Sequence, residues 1–326
     1  MKKLTALFLA LAMGIMGLTA CGQNTAEPIA EAIDMRIGGL KGPTSMGMVK
    51  LMEEAEEGTA ANRYTFTIAG SADEIVPKLS QGELDLAMVP ANLASVLYNN
   101  TDGGVQLLAI NTLGVISIVE NGESIQSFAD LKGKTIYATG KGAVPEYALR
   151  YILSQNGLNP DTDITIEWKS EPTEVVALLS QGEGIAMLPQ PFVTVAQTQI
   201  PDLRIAIDLN EAWNALDNDS LFLTGVLVGR REFLQQNPLQ IAAFLSEYEA
   251  STKWVNENVS DAAALVEKFD IVKAAVAEKA IPHCNITYLD GAEMKTAMNG
   301  YLEILMAQNP QSIGGALPDD AFYYEH

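Results

Sequence analysis

A five-residue string, Leu-Ser-Gln-Gly-Glu, occurs twice at a spacing of one hundred residues, within LSQGELDLAMVP at 79 to 90 and LLSQGEGIAMLP at 178 to 189. Each copy runs into an apolar stretch that ends at a proline, Pro90 in one and Pro189 in the other. A repeat at this period restricts the chain to folds built from two like halves.

The residues around the two copies follow one grammar. MRIGGL reads as a short strand, and KGPTSMGMVKLMEEAEEG as a helix with Pro43 in its first turn, Met46, Val49 and Met52 at helical spacing, and Gly58 as the stop. YTFTIAG alternates as a strand, SADEIVPKLSQGE carries a serine cap and an apolar stripe, and LDLAMVP is a buried strand. The order restarts with KTIYATGKGAVPEYALRYILSQNG, followed by ITIEWKS, EPTEVVALLSQGE and GIAMLP. At an offset of one hundred, Lys41-Gly42 falls on Lys141-Gly142, Lys50 on Arg150, Glu74 on Glu174 and Val76 on Val176, and after Glu183 the offset becomes ninety-nine. Strand and helix alternate in both copies, so the fold class is α/β, with two similar lobes that each hold a mostly parallel sheet flanked by helices.

The first twenty residues are set apart from this body. Lys2 and Lys3 precede an apolar run from Leu4 to about Gly17 and then small residues, the layout of a secretory signal over 1–20. LTAC, Leu18 to Cys21, resembles the bacterial lipobox, which implies lipidation of Cys21 and a lipidated tether over 21–34. Cys284 is then the one remaining cysteine, which excludes an intramolecular disulfide and reads as a small buried hydrophobe. Loss of Lys2 and Lys3 takes the formal charge from −21 to −23. So large an acid excess excludes nucleic acid as a partner.

In open parallel sheets, ligands sit beyond the carboxyl ends of the strands, where loops lead into helices. On the first lobe those loops hold Lys41, Gly42, Pro43, Thr44 and Ser45, then Ser71, then Pro90 and Asn92. On the second they hold Thr139, Gly140, Lys141, Gly142 and Ala143, then Trp168, then Pro189 and Gln190. Thr112 and Thr224 lie where the chain crosses between lobes. Lys41 and Lys141 precede helix starts and favour an anionic or carbonyl-rich solute. Each lysine reads equally as a solvated side chain. Thr44, Ser45, Ser71, Asn92, Thr139 and Gln190 are short polar groups that either orient a ligand or cap a helix. Trp168 and Trp213 are candidates to stack on a ring, with packing as the commoner fate of a tryptophan.

Enzymatic motifs do not survive inspection. GKGAVP has Pro145 where a dinucleotide fingerprint needs its third glycine, and LKGKT has Phe128 where a phosphate loop needs its first. With His283 and His326 as the two histidines, metal clusters and histidine-based triads are disfavoured. His283 beside Cys284 lacks a third polar partner nearby in sequence.

The segment SIQSFADLKGKTIYATGKGAVPEYALRYILSQNGLNPDTDITIEW, together with LVGRREFLQQNPLQIAAFLSEYEASTKWVNEN, resembles the type II periplasmic solute-binding proteins of ABC importers. It is similar in particular to the superfamily that holds the nitrate, sulfonate, taurine and thiamine-precursor binding proteins. The resemblance implies a first lobe over 35–110 plus 222–326, a second over 114–218, and a two-strand hinge at AINTLG and NDSLFLTG. It also implies an extracytoplasmic, lipid-anchored, monomeric protein at the outer face of the bacterial membrane. Such a protein captures a small anionic or heteroaromatic solute and delivers it to an ABC permease and its ATPase, without catalysis, cofactor or metal. A sensory or interaction lipoprotein and an enzyme on the same fold, like the pyrimidine synthases, are the competing readings.

Overall fold

The computed structural model describes residues 31–182, 184–216, 218 and 220–325. The signal segment, Cys21, most of the tether, Glu183 and His326 lie outside the described residues.

The chain begins with β1 (Asp34–Leu40), α1 (Pro43–Met46), α2 (Val49–Glu57), β2 (Arg63–Ala69), α3 (Ala72–Ser80), β3 (Leu86–Pro90), α4 (Ala91–Asn100) and β4 (Val105–Leu113). It continues through β5 (Ile116–Asn121), β6 (Thr135–Ala138), α5 (Val144–Gln155), β7 (Thr165–Trp168), α6 (Pro172–Leu179), β8 (Gly184–Pro189), α7 (Phe192–Gln199), β9 (Leu203–Asp208) and α8 (Leu209–Asn214). The last part holds β10 (Leu223–Arg230), α9 (Arg231–Gln236), α10 (Pro238–Glu257), α11 (Val259–Lys268), α12 (Ala274–Ala280), β11 (Ile286–Leu289) and α13 (Gly291–Gln308).

Two mixed sheets result, one in the order β11-β4-β10-β3-β1-β2 and the other β7-β6-β8-β5-β9. In each, three strands run parallel and a strand from the far side of a crossing enters antiparallel: β10 beside β3 in the first sheet, β5 beside β8 in the second. Strand pairing repeats as well. Ile37 pairs with Leu86 and Ile136 with Ile185, an offset of ninety-nine for both strands. The loop after β6 is longer than the loop after β1, and this corrects the offset of one hundred. Lys41 directly follows β1, whereas Thr139 and Gly140 separate Lys141 from β6, so the two lysines are not structural equivalents.

The helix expected from Pro43 to Glu57 is broken after Met46. The Ser251 hydroxyl donates to the Gly47 carbonyl at 2.8 Å and accepts from the Leu51 amide at 3.2 Å. It replaces the helical bond those two groups would make with each other, and a side chain inserted in the ladder bends a helix. Gly58 ends α2 in the left-handed region, at φ 73°.

One apolar cluster runs from Ile75, Val89 and Val226 of the first lobe to Ile136, Leu149 and Ile152 of the second, with Trp213, Phe222 and Tyr301 in it. A second lies on the other face of the first sheet, where Ile37, Met88 and Leu227 meet Ile241, Phe244 and Val266. Each sheet is also fastened by a buried carboxylate. Asp85 is 2% exposed and binds both Arg36 and Arg230, tying β1 and β10 to the start of β3. Burial pushes its carboxyl up, but the two guanidinium groups and the Arg36 amide outweigh this and hold it below the usual carboxylate range. In the second sheet, Glu120 accepts from Ser124, the Ile125 amide and Arg204. Burial raises its carboxyl too, and the same bonds bring it below the usual range.

Candidate functional site

The carboxyl ends of β1, β3 and β4 and the amino end of the antiparallel β10 are covered by the single turn of α1, which packs on all four. The fit is close. A Cβ on Gly225 would lie 2.4 Å from Thr44 Cγ2 and 2.6 Å from Asn111 Oδ1, and one on Gly39 would lie 2.4 Å from Ser45 Oγ. Glycine at these positions is what lets α1 sit on the strand ends. Asn111 Nδ2 reaches the Thr44 carbonyl at 3.4 Å, and Thr112 Oγ1 donates to Asn111 Oδ1 at 3.0 Å.

Buried polar side chains concentrate at this edge and its counterpart. Thr44, Ser45, Asn92, Asn111 and Thr112 are buried on the first lobe, and Ser117, Thr139, Gln190 and Thr194 on the second. None carries a charge. Among the described residues four buried side-chain atoms have no hydrogen-bond partner; Tyr301 Oη lies in the apolar cluster, and the other three, Ser45 Oγ, Asn92 Oδ1 and Thr224 Oγ1, belong to this edge. Buried polar groups are nearly always paired, so an orphan at a strand edge is a candidate contact for a solute or an ordered water. The three come from neighbouring segments, since Gly225, next to Thr224, pairs with Pro90, two residues before Asn92. On the second lobe, the Gln190 amide donates to the Val115 carbonyl, and Gln190 Oε1 accepts from Thr194 at 2.9 Å.

Several expected site residues are placed otherwise. Trp213 is fully buried in the apolar cluster, stacked on Phe222 with centroids 5.3 Å apart and donating to Ser220 Oγ, so it cannot stack on a solute. Ser71 is an exposed N-cap of α3, with Glu74 Oε1 accepting from its amide, so it serves the helix. Lys41 Nζ pairs with Asp270 Oδ2 at 2.6 Å, which meets its charge from within its own lobe. Trp168 is half-buried at the end of β7 and packs on the apolar cluster.

The other positions stand at the two edges. Gly42 and Pro43 are buried at the head of α1, and Pro90 and Pro189 are half-buried at the ends of β3 and β8. Gly140, at φ 84°, packs on Pro145, Ala143 caps α5, and Lys141 and Gly142 are exposed. Asn111, Ser117 and Thr194 were not singled out from the sequence. The pair Asn111-Thr112 did carry a signal, since it interrupts the apolar strand VQLLAINTL with two polar residues.

A groove of about 1460 Å³ opens between α5 and α13, lined by Lys141, Tyr147, Arg150, Glu303 and Asn309 among others. Asn309 Nδ2 approaches Tyr147 Oη at 3.5 Å across it. Its walls mix both signs of charge and hold none of the three orphaned edge atoms, so the strand edges are the better candidate. Chemistry at Cys284 is disfavoured, because burial pushes its thiol up to about 12. Among the described residues no group of three His, Cys, Asp or Glu side chains could hold a metal ion, and no helix is long and apolar enough to cross a membrane.

Residues 47–205 match the family model described as ABC transporter, phosphonate, periplasmic substrate-binding protein. A binding protein of Brucella abortus is 23% identical over 273 residues, 82% of this chain and 79% of that one. The crystal structure of an ABC transporter from Parabacteroides distasonis superposes with a TM-score of 0.76 at 24% identity, over 91% of this chain and 99% of that one. The periplasmic aliphatic sulphonate binding protein SsuA from Escherichia coli gives 0.71 at 19% identity, over 90% and 92%. With two lobes of repeated topology, antiparallel crossing strands and a polar edge on each lobe, the chain has the type II periplasmic binding-protein fold, and over residues 47–205 it is similar to the periplasmic substrate-binding proteins of ABC transporters.

Proposed function

We propose that this protein captures a small polar solute between the edges of its two lobes and presents the closed form to an ABC permease. The observation that carries this reading is the set of orphaned polar atoms on the first lobe's edge, Ser45 Oγ, Asn92 Oδ1 and Thr224 Oγ1. An unmet buried group costs about 1 to 3 kcal/mol, and a solute that meets it recovers that free energy. Thr44, Thr112, Thr139 and Gln190 complete the contacts, with Gly42, Pro43, Pro90, Gly140, Gly142, Ala143 and Pro189 shaping the two edges. The solute joins the lobes because both contact it, which favours the closed state over the open one.

A lipid on Cys21 holds the protein at the outer face of the cytoplasmic membrane, and residues 21–34 act as tether. The sequence LTAC supports this, and Cys21→Ser should move the protein from the membrane fraction to the soluble one. Retention in the membrane with a normally processed signal refutes the anchor.

The binding reading is tested by a thermal-shift screen of sulfonates, phosphonates, nitrate, amino acids and pyrimidines, followed by small-angle scattering. A solute that raises Tm should also contract the particle. Stabilisation without contraction refutes capture between lobes.

A further inference from the structure

We infer that the solute must bring a hydrogen-bond donor, an N–H or O–H group, to Asn92 Oδ1, so that a bare oxyanion is an incomplete ligand. This rests on the proposed capture between lobes and narrows its chemistry. Asn92 is 4% exposed, at the start of α4. Its Nδ2 donates to the Ser312 carbonyl at 3.0 Å. That carbonyl can only accept, so the nitrogen of the amide must face it, and the remaining oxygen is left as an acceptor with no donor.

An acceptor cannot be met by a sulfonate, nitrate or fully ionised phosphonate, which offer acceptors alone. Two oxygens facing each other without a proton between them repel. The other two orphans at this edge, Ser45 Oγ and Thr224 Oγ1, are hydroxyls and serve either polarity. Among the described residues, Lys41 at this edge is paired with Asp270, and the buried polar side chains of the edge are neutral. Gln190 on the second lobe has its Oε1 taken by Thr194, which leaves its Nε2 end to face an acceptor. The site therefore suits a solute with a donor toward the first lobe and an acceptor toward the second.

Two matched series test this by isothermal titration calorimetry: ethanesulfonate against 2-hydroxyethanesulfonate and 2-aminoethanesulfonate, and 2-methylpyrimidine against 4-amino-2-methylpyrimidine. In at least one series the donor-bearing member should bind at least about tenfold more tightly than its plain twin. Asn92→Leu should abolish that difference. Ser95→Ala is the structural control, because Ser95 Oγ also ties α4 to the C-terminal segment, at the Ile313 carbonyl, without supplying the acceptor. It should leave the difference intact. Equal binding within both series, no binding in either, or an unchanged preference in Asn92→Leu overturns the inference. The capture reading is judged separately by the contraction seen in the wider screen.

Discussion

Lys41 Nζ and Asp270 Oδ2 lie 2.6 Å apart on the first lobe, so the ammonium group that precedes α1 is matched by a carboxylate from the segment between α11 and α12. The Asp270 carboxyl is held below its usual range by the hydrogen bond and charge of Lys41. A lysine engaged in this way does not need an anionic solute. Lys41→Ala should therefore leave solute affinity within about twofold, as for other exposed ion pairs. Calorimetry checks this, and a loss of about tenfold or more would return Lys41 to the site.

Asp85 joins three strands through two guanidinium groups. Removing one member of a buried ionic network leaves the others unpaired, so Asp85→Ala should lower stability by about 3 kcal/mol in urea unfolding. The same carboxylate gives a pH dependence. Its folded pKa lies below that of the unfolded chain, so its contribution is present above about pH 4 and is lost as pH falls through the folded value. Asp85→Asn should flatten that acid limb. An unchanged limb would assign it to other carboxylates.

Trp213 touches Tyr151, Phe222 and Tyr301 within the cluster shared by both lobes. Trp213→Ala should cost about 3 to 5 kcal/mol of stability. Trp213→Phe, which keeps most of the packing, should bind solute like the parent. Weaker binding by a well-folded Trp213→Phe would show that the ring reaches the site.

Gly225 leaves no room for a methyl group under α1. Gly225→Ala should displace α1 and with it Thr44 and Ser45, at about 1 to 3 kcal/mol of stability. Solute affinity should fall further than stability does. Parent-like binding in this variant would mean that α1 does not form the floor.

The repeat was legible because it rests on local order, strand then helix then strand, which neighbouring residues dictate. The site was legible in part. Buried polar residues after strands, Thr44, Ser45, Asn92, Thr139 and Gln190, could be found from their place in the α/β order. The role of Lys41 could not, because Asp270 lies 229 residues further along the chain. Trp213 sits in a polar-looking string, NEAWNALDND, yet its packing partners come from distant segments. The break in the first helix was hidden too, since Ser251 acts across 204 residues.

If one solute is held by both edges at once, Ser45 on the first lobe and Gln190 on the second are energetically coupled, and a double-mutant cycle between them measures this. Calorimetric titration of the parent, Ser45→Ala, Gln190→Ala and the double variant, with the solute that raises Tm most, gives the coupling. Both single variants should bind more weakly, with a coupling of at least about 0.5 kcal/mol, because losing either contact loosens the closed form that the other needs. Losses that add to within about 0.3 kcal/mol, or single variants that bind like the parent, would contradict capture by both edges.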